Sequence, residues 1–433
     1  MNDVFSEKVS IGKNLMIGFE HVLAMCPGTI AVPLIMAGAM GLDGKTTAFL
    51  VSANLFTSGI AILIQVFGIG KLIGSKYPII LGSSFAPLAP MILIGNTYGL
   101  PTMFGAIMAS AVVIFLLSFF MDKILLLFPP VVIGTFVTLI GVSLAPTAIK
   151  DLAGGVGSAE FGSIQNLLLG LGVLVSIILI EKFGKGLFKA MSLLVGIIGG
   201  TVVGTVLGMV DFTPIDEAAW FQIVTPFHFG APQFEIGSIV IMTIFCIINM
   251  IQCIGVFSVL DVIVGTDTDN KTKNKGIKAQ AVSQFISGMF NSVPSTMFNE
   301  NVSLIDLTKV KSRSVVATAG VMLVLIGVFP KISAIITVVP KAVLGGATLA
   351  LFGIITSSGI SMLAKLNFFE NNNFTIVGTS IAIGVGATFA PEIFAKLPTT
   401  LSMICSNGLF MVSASAILLN LLLNGRKGLK HSS

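Results

Sequence analysis

Charge is what this sequence has least of. Of its 433 residues only 10% are Asp, Glu, Lys or Arg, against about 25% in soluble domains. A water-soluble protein of this size could not cover its surface with so few. Cysteine is sparse too: Cys26, Cys246, Cys253 and Cys405 all lie inside apolar runs with no Cys-x-x-Cys pair. They read as small buried hydrophobes, which excludes a disulfide framework or a thiolate metal site. No HExxH, GxSxG or Cys/His cluster is present, so metal hydrolysis and nucleophilic catalysis have no visible residues, and an enzyme or a cofactor is not expected. The stretch GLDGKTT at 41–47 is not a phosphate loop, because that pattern needs glycine where Ala39 stands. No repeated charged ring or filter-like carbonyl loop suggests a channel. The first 15 residues hold Asp3, Glu7, Lys8 and Lys13 without an apolar run or small-residue cleavage site, and read as a cytoplasmic tail, not a signal peptide.

What the chain does have is hydrophobic length. Hydrophobic residues make up 55% of it, mean hydropathy is +1.01, and apolar runs long enough to cross a roughly 30 Å hydrocarbon core recur from end to end. The expected fold class is an all-α polytopic membrane protein in a lipid bilayer. Fourteen segments are expected, near 16–40, 47–70, 79–95, 101–121, 129–149, 163–180, 190–210, 236–260, 276–291, 295–309, 314–329, 342–363, 374–390 and 400–424. The longest polar connection, 211–235, carries Trp220 and His228, and 425–433 forms a short tail. With the N-terminus inside, 19 of the 24 basic residues fall on the cytoplasmic side, leaving Lys45, Lys150, Lys331, Lys341 and Lys396 outside. That asymmetry supports the count, puts both termini in the cytoplasm, and explains the net charge of +5 without nucleic acid. Fourteen divides into two sevens, and an odd repeat must invert.

The third segment of each half is anomalous. One reads YPIILGSSFAPLAPMILIG, with Pro78, Pro87 and Pro90; the other reads SVPSTMFNENVSLIDLTKV, with Pro294 and Asn299–Glu300–Asn301. Proline removes a backbone donor and the residue before it resists the α region. Neither stretch is expected to be an uninterrupted helix. Non-helical backbone at membrane depth is tolerated only against protein or a cavity, and paired broken segments mark transporter binding sites. Ordinary proline kinks are the competing explanation.

Glu300 is the leading polar candidate, because an ionisable residue inside a membrane is costly and functional by default. It could accept ligand N–H groups and carry a coupled proton; capping a half-helix near Val302 is the alternative, a role that Asn301 suits better. Gln252, deep in segment eight, offers donor and acceptor to a planar ligand or serves as helix–helix glue. His21, beside Glu20, is a proton-relay candidate or a histidine bonded to a neighbouring helix. Asp306 and Asp261 are expected to be interfacial partners of nearby lysines.

FNENVSLIDLTKVKSR resembles the signature of the nucleobase–ascorbate transporter family, [QEP]-N-x-G-x-x-x-x-T-[RKG]. Glu300, Asn301, Thr308 and Lys309 match it, while Ser303 stands where glycine is expected. GFEHVLAMCPGTIAVPLI, LGSSFAPLAPMILIG and LFPPVVIGTFVTLIG resemble the family's first, third and fifth segments, and the likeness covers nearly the whole chain. The resemblance implies fourteen spans in two inverted repeats of seven, with short antiparallel strands in segments three and ten. It implies a core domain, 16–121 with 236–329, and a gate domain, 122–210 with 330–424, and a homodimer through the gate. It assigns side-chain contacts to Gln252 and Glu300, backbone contacts to Phe85 and Asn299, and pocket positions to Ser84, Phe298 and Phe352; Asn301 and Thr308 are structural neighbours.

Most members of the family that the chain resembles carry glutamate where Gln252 stands and Asp or His where Val256 stands. Glutamine takes no proton at physiological pH, so Glu300 is expected to carry the coupling proton. The expected substrate is an oxidised purine, xanthine ahead of urate because a carboxylate at position 300 opposes an anionic base; uracil is the rival. The expected location is a bacterial cytoplasmic membrane.

Overall fold

The structure is a computed structural model that describes residues 4–425; the side chains of Asn299, Glu300 and Ser303, with a few elsewhere, lie outside what it describes. Among the described residues, helices of ten residues or more run α1 Ile11–Ala39, α2 Gly44–Phe67, α3 Leu88–Tyr98, α4 Leu100–Leu117, α5 Pro130–Leu152, α6 Ile164–Phe183 and α7 Ser192–Val206. They continue as α8 Ile236–Val264, α9 Asn270–Met289, α10 Asn299–Thr308, α11 Arg313–Gly327, α12 Lys341–Leu363, α13 Asn373–Phe389 and α14 Gly408–Asn424. Seven of the described helices are long and apolar enough to cross a membrane: α1, α2, α4 (with the turn that extends it to Phe120), α5, α6, α8 and α12. Four shorter ones, α7, α11, α13 and α14, are apolar as well. The only strands among the described residues are β1, Leu81–Ser83, and β2, Ser295–Met297. They precede α3 and α10, so both expected interruptions are present.

Two compact units make up the chain. One comprises Met1–Ser118 with Lys150–Ala347, the other Phe119–Ile149 with Thr348–Ser433. In the first, α2 packs on α11, α9 and α8 on α4, and α1 on α11. In the second, α13 packs on α14.

Small residues let helices approach closely where lipid supplies no hydrophobic drive for association. A Cβ on Gly59 of α2 would stand 2.5 Å from the Gly320 carbonyl oxygen of α11, and one on Gly327 would stand 2.6 Å from the Phe56 nitrogen. The two helices therefore meet backbone to backbone along two turns. The starts of α2 and α8 are fixed by acidic caps. Asp43 accepts from the Thr46 N–H at 2.8 Å and its hydroxyl at 3.1 Å, which holds its carboxyl below the usual range. Burial pushes the Glu235 carboxyl up, but hydrogen bonds from Ser238 and Gly237 outweigh it and leave the pKa lowered.

The polar ends are tied into the fold. The N-terminal segment is tied down: Phe5 is buried with its ring 4.4 Å from that of Tyr77, and Ser312 Oγ donates to the Glu7 carbonyl at 2.7 Å. Asp261 is not paired with a lysine among the described contacts; it accepts from Thr266 Oγ1 and from Thr268 N and Oγ1, ordering the turn after α8. Asp306 does pair with Lys309, at 2.6 Å and exposed, as expected. In the 211–235 connection His228 stacks on Phe49 with centroids 3.8 Å apart, and Lys331 lies over Trp220.

Gly59→Ala is expected to destabilise the protein by roughly 1–3 kcal/mol, because the added methyl meets backbone and not a movable side chain. A detergent thermal-unfolding midpoint equal to wild type would contradict that packing.

Candidate functional site

The two interruptions solve each other's hydrogen-bonding problem. β1 and β2 pair antiparallel, with Leu81 opposite Met297, Gly82 opposite Thr296 and Ser83 opposite Ser295. The ladder extends one step each way: Ser84 N–H donates to the Pro294 carbonyl at 2.9 Å and Phe298 N–H to the Ile80 carbonyl at 3.1 Å. Backbone groups freed by proline are thereby satisfied inside protein, as an apolar surrounding demands. From the register, Phe85 and Asn299 continue from opposite ends of the ladder. Each leads to the N-terminus of a half-helix, α3 or α10, whose first N–H groups lack helical partners and carry partial positive charge.

Side chains from three helices and a backbone carbonyl of a fourth hold this crossing. Pro33 lies inside α1 and has no N–H for the Thr29 carbonyl four residues back. That carbonyl accepts instead from Asn54 Nδ2 of α2 at 2.7 Å and from Ser83 Oγ of β1 at 2.8 Å. Asn54 Nδ2 also donates to Ser83 Oγ at 2.6 Å, and Asn54 Oδ1 accepts from Ser292 Oγ at 3.0 Å. Thr57 Oγ1 bonds the same Ser292 hydroxyl at 2.7 Å. On the other strand, the Ser295 carbonyl accepts from Asn249 Nδ2 of α8 at 3.0 Å and from Gln280 Nε2 of α9 at 3.2 Å. All of these residues are buried. Phe298 sits over the crossing in a slot left by two glycines. A Cβ on Gly28 would stand 3.3 Å from its ring, and one on Gly82 would stand 2.8 Å from it.

The candidates from sequence divide as follows. Phe85, Ser84, Phe298 and the backbone of Asn299 and Glu300 lie at the crossing. The side chains of Asn299 and Glu300, and hence what Glu300 touches, lie outside the described residues. Gln252 is partly buried in α8, and among the described residues no hydrogen bond of its amide is seen. Phe352 is buried in α12, in the second unit, and only the resemblance carries it as a site residue. Thr308 ends α10, where its hydroxyl bonds the Leu304 carbonyl at 2.8 Å.

Asn301 requires a correction. α10 begins at Asn299 with Phe298 as its cap residue, so Asn301 lies within the first turn and is not the cap. Its Nδ2 donates to the His21 carbonyl at 2.9 Å and lies 3.2 Å from His21 Nδ1. His21 is 1% exposed, so it is a histidine bonded to a neighbouring half-helix, with Nδ1 as acceptor and the ring proton on Nε2. Sequence reasoning missed Asn54, Asn249 and Gln280. The available signal was an amide inside a membrane segment, which was applied only to Gln252.

A flat, largely uncharged ligand with N–H and C=O groups on its edges suits this arrangement: backbone at both ends of the ladder, an amide at 252, and an aromatic wall at Phe298. Among the described residues no group of three or more His, Cys, Asp or Glu side chains could hold a metal ion.

Comparison with known proteins agrees in length and kind. Residues 12–393 match the profile of a family described as the Permease family (Xan_ur_permease). The chain is 41% identical over 413 residues to the xanthine permease of Bacillus subtilis, covering 95% of this chain and 94% of that one. It is 44% identical over 414 residues to the uric acid permease PucJ of the same organism, covering 94% and 92%. Among solved structures, the transmembrane domain of the cyanobacterial bicarbonate transporter BicA superposes with a TM-score of 0.59 at 15% identity, over 97% of this chain and 99% of that one. That likeness concerns the fold alone.

Asn54→Ala removes donors to the Thr29 carbonyl and the Ser83 hydroxyl in a buried site. It should cost about 1–3 kcal/mol per group left unsatisfied. A thermal midpoint indistinguishable from wild type would show that the network does not hold the crossing.

Proposed function

The chain belongs to the nucleobase–ascorbate transporter family, and on that premise we propose that it is a secondary transporter importing an oxidised purine, xanthine before urate, across a bacterial cytoplasmic membrane. The observation that carries the reading is the β1–β2 pair with a half-helix leaving each end, inside an otherwise apolar helical protein. Such a break offers a ligand oriented peptide groups without charged side chains that would bar passage. The base lies between the backbone at Phe85 and at Asn299. Gln252 and Glu300 take its polar edge, and Phe298 covers its ring. Ser84 shapes the β1 end, and Asn301 and Thr308 support α10.

Fourteen spans in two inverted repeats of seven accompany this reading, with both termini cytoplasmic. The element order of the halves supports it. Each begins with a helix of 29 residues, α1 and α8, and each places a three-residue strand before a helix of 10 or 11 residues in third position. Residues 16–121 and 236–329 act as the core that carries the site, and 122–210 and 330–424 as the gate through which two copies pair. A xanthine or urate specificity is favoured by the activities of the two relatives, a xanthine permease and a uric acid permease, and glutamate at 300 keeps uracil as the competitor to test.

Proton coupling rests on Glu300. Glutamine at 252 cannot titrate, and His21 already uses Nδ1 and its carbonyl to hold Asn301, which leaves Glu300 as the titratable group at the ligand edge. Protonation would remove the charge that opposes an acidic base and let both cross together.

Two measurements follow. In cells expressing the chain, unlabelled xanthine should displace radiolabelled xanthine at lower concentration than urate, uracil, guanine or hypoxanthine; a panel led by uracil would reassign the substrate. In proteoliposomes, Glu300→Gln should abolish accumulation driven by an inward proton gradient, and retained accumulation would remove Glu300 from coupling.

A further inference from the structure

Asn249 is fully buried in α8, one turn before Gln252. Its carboxamide has a fixed direction. The Ser295 carbonyl can only accept, so Nδ2 must face it, at 3.0 Å. Oδ1 is then turned to Ser84 and accepts from its hydroxyl, at 3.0 Å. With that proton committed, Ser84 Oγ receives the Ala86 N–H at 3.3 Å. The Ser84 N–H is anchored separately on Pro294. Hydrogen bonds thus bracket Phe85 on both sides, and the later one depends on an amide carried by the helix that presents Gln252.

We infer that Asn249 is a positioning residue: through Ser84 it sets the backbone at Phe85 relative to Gln252, and so sets which base fits, without touching the base itself. The ligand contact at Phe85 and Gln252 rests on the function proposed above, but the positioning of residues 84–86 does not. The two strands also differ in their dependence on Asn249. The Ser295 carbonyl keeps a second donor, Gln280 Nε2, at 3.2 Å. Among the described contacts, the Ser84 hydroxyl has no acceptor besides Asn249. Loss of Asn249 should therefore loosen the β1 end and spare β2, whereas a residue that merely fills space between helices would loosen both.

The test compares wild type, Asn249→Ala, Ser84→Ala and the double variant. Backbone hydrogen exchange of the full chain in detergent is read over 84–88 and 294–298, and xanthine uptake is measured with urate and uracil as competitors. Asn249→Ala should speed exchange over 84–88 about tenfold or more while 294–298 keeps its protection. KM should rise by about tenfold with maximal rate little changed, and the inhibition ranking of the three bases should compress. Ser84→Ala, the milder change should Asn249→Ala fail to fold, should give the same signature, and the double variant should add nothing further. Equal loosening of both strands, unchanged exchange at 84–88, or additive effects of the two substitutions would overturn the inference. If wild type takes up no base, the function proposed above falls, and the exchange comparison still decides the positioning role.

Discussion

Peptide groups that leave a helix inside an apolar protein need partners, and here two such breaks supply them to each other. The antiparallel pairing of residues 80–84 with 294–298 is the constraint on which the surrounding structure depends. It fixes where α3 and α10 begin and requires small residues such as Gly82 beneath the Phe298 ring. It also draws buried amides from α2, α8 and α9. A neutral network suits the purpose, because satisfied amides and hydroxyls cost far less in a low-dielectric interior than charges would. The first unit is built around this crossing.

Proline has two different consequences in the same region. In α1, Pro27 and Pro33 are absorbed by a continuous helix of 29 residues. Pro33 does not break the helix; it frees the Thr29 carbonyl, which becomes the anchor for Asn54 and Ser83. In the third and tenth segments, serines and glycine beside the prolines accompany a change to strand. The difference lies in what neighbouring helices offer the released carbonyls, which is a property of packing and not of the local sequence.

That contrast explains how far the sequence could be read. The apolar runs located the helices, and the prolines with Asn299–Glu300–Asn301 located both breaks, because composition and backbone chemistry are local. Register was not legible: nothing in LGSS or STM says that Ser83 faces Ser295, or that Phe85 and Asn299 leave opposite ends of the ladder. Nor were the roles of polar side chains. Asn301 suits a cap from its position, yet its amide reaches across to His21, because α10 starts three residues earlier than expected. Asn249 and Gln252 are both amides in one apolar helix, and only the helix's orientation makes one a strut and leaves the other unpartnered within the described protein. Charge alone pairs Asp261 with a lysine, but its carboxylate accepts from the turn threonines that follow it.

The proposed function places a purine base at the crossing, between the N-termini of the two half-helices. A structure of the protein determined with bound xanthine tests it most directly. The base should lie within hydrogen-bond distance of the backbone at Phe85 and at Asn299, with its polar edge on Gln252 and Glu300 and its face on Phe298. Density for the base elsewhere, with the crossing filled only by side chains, would contradict the claim.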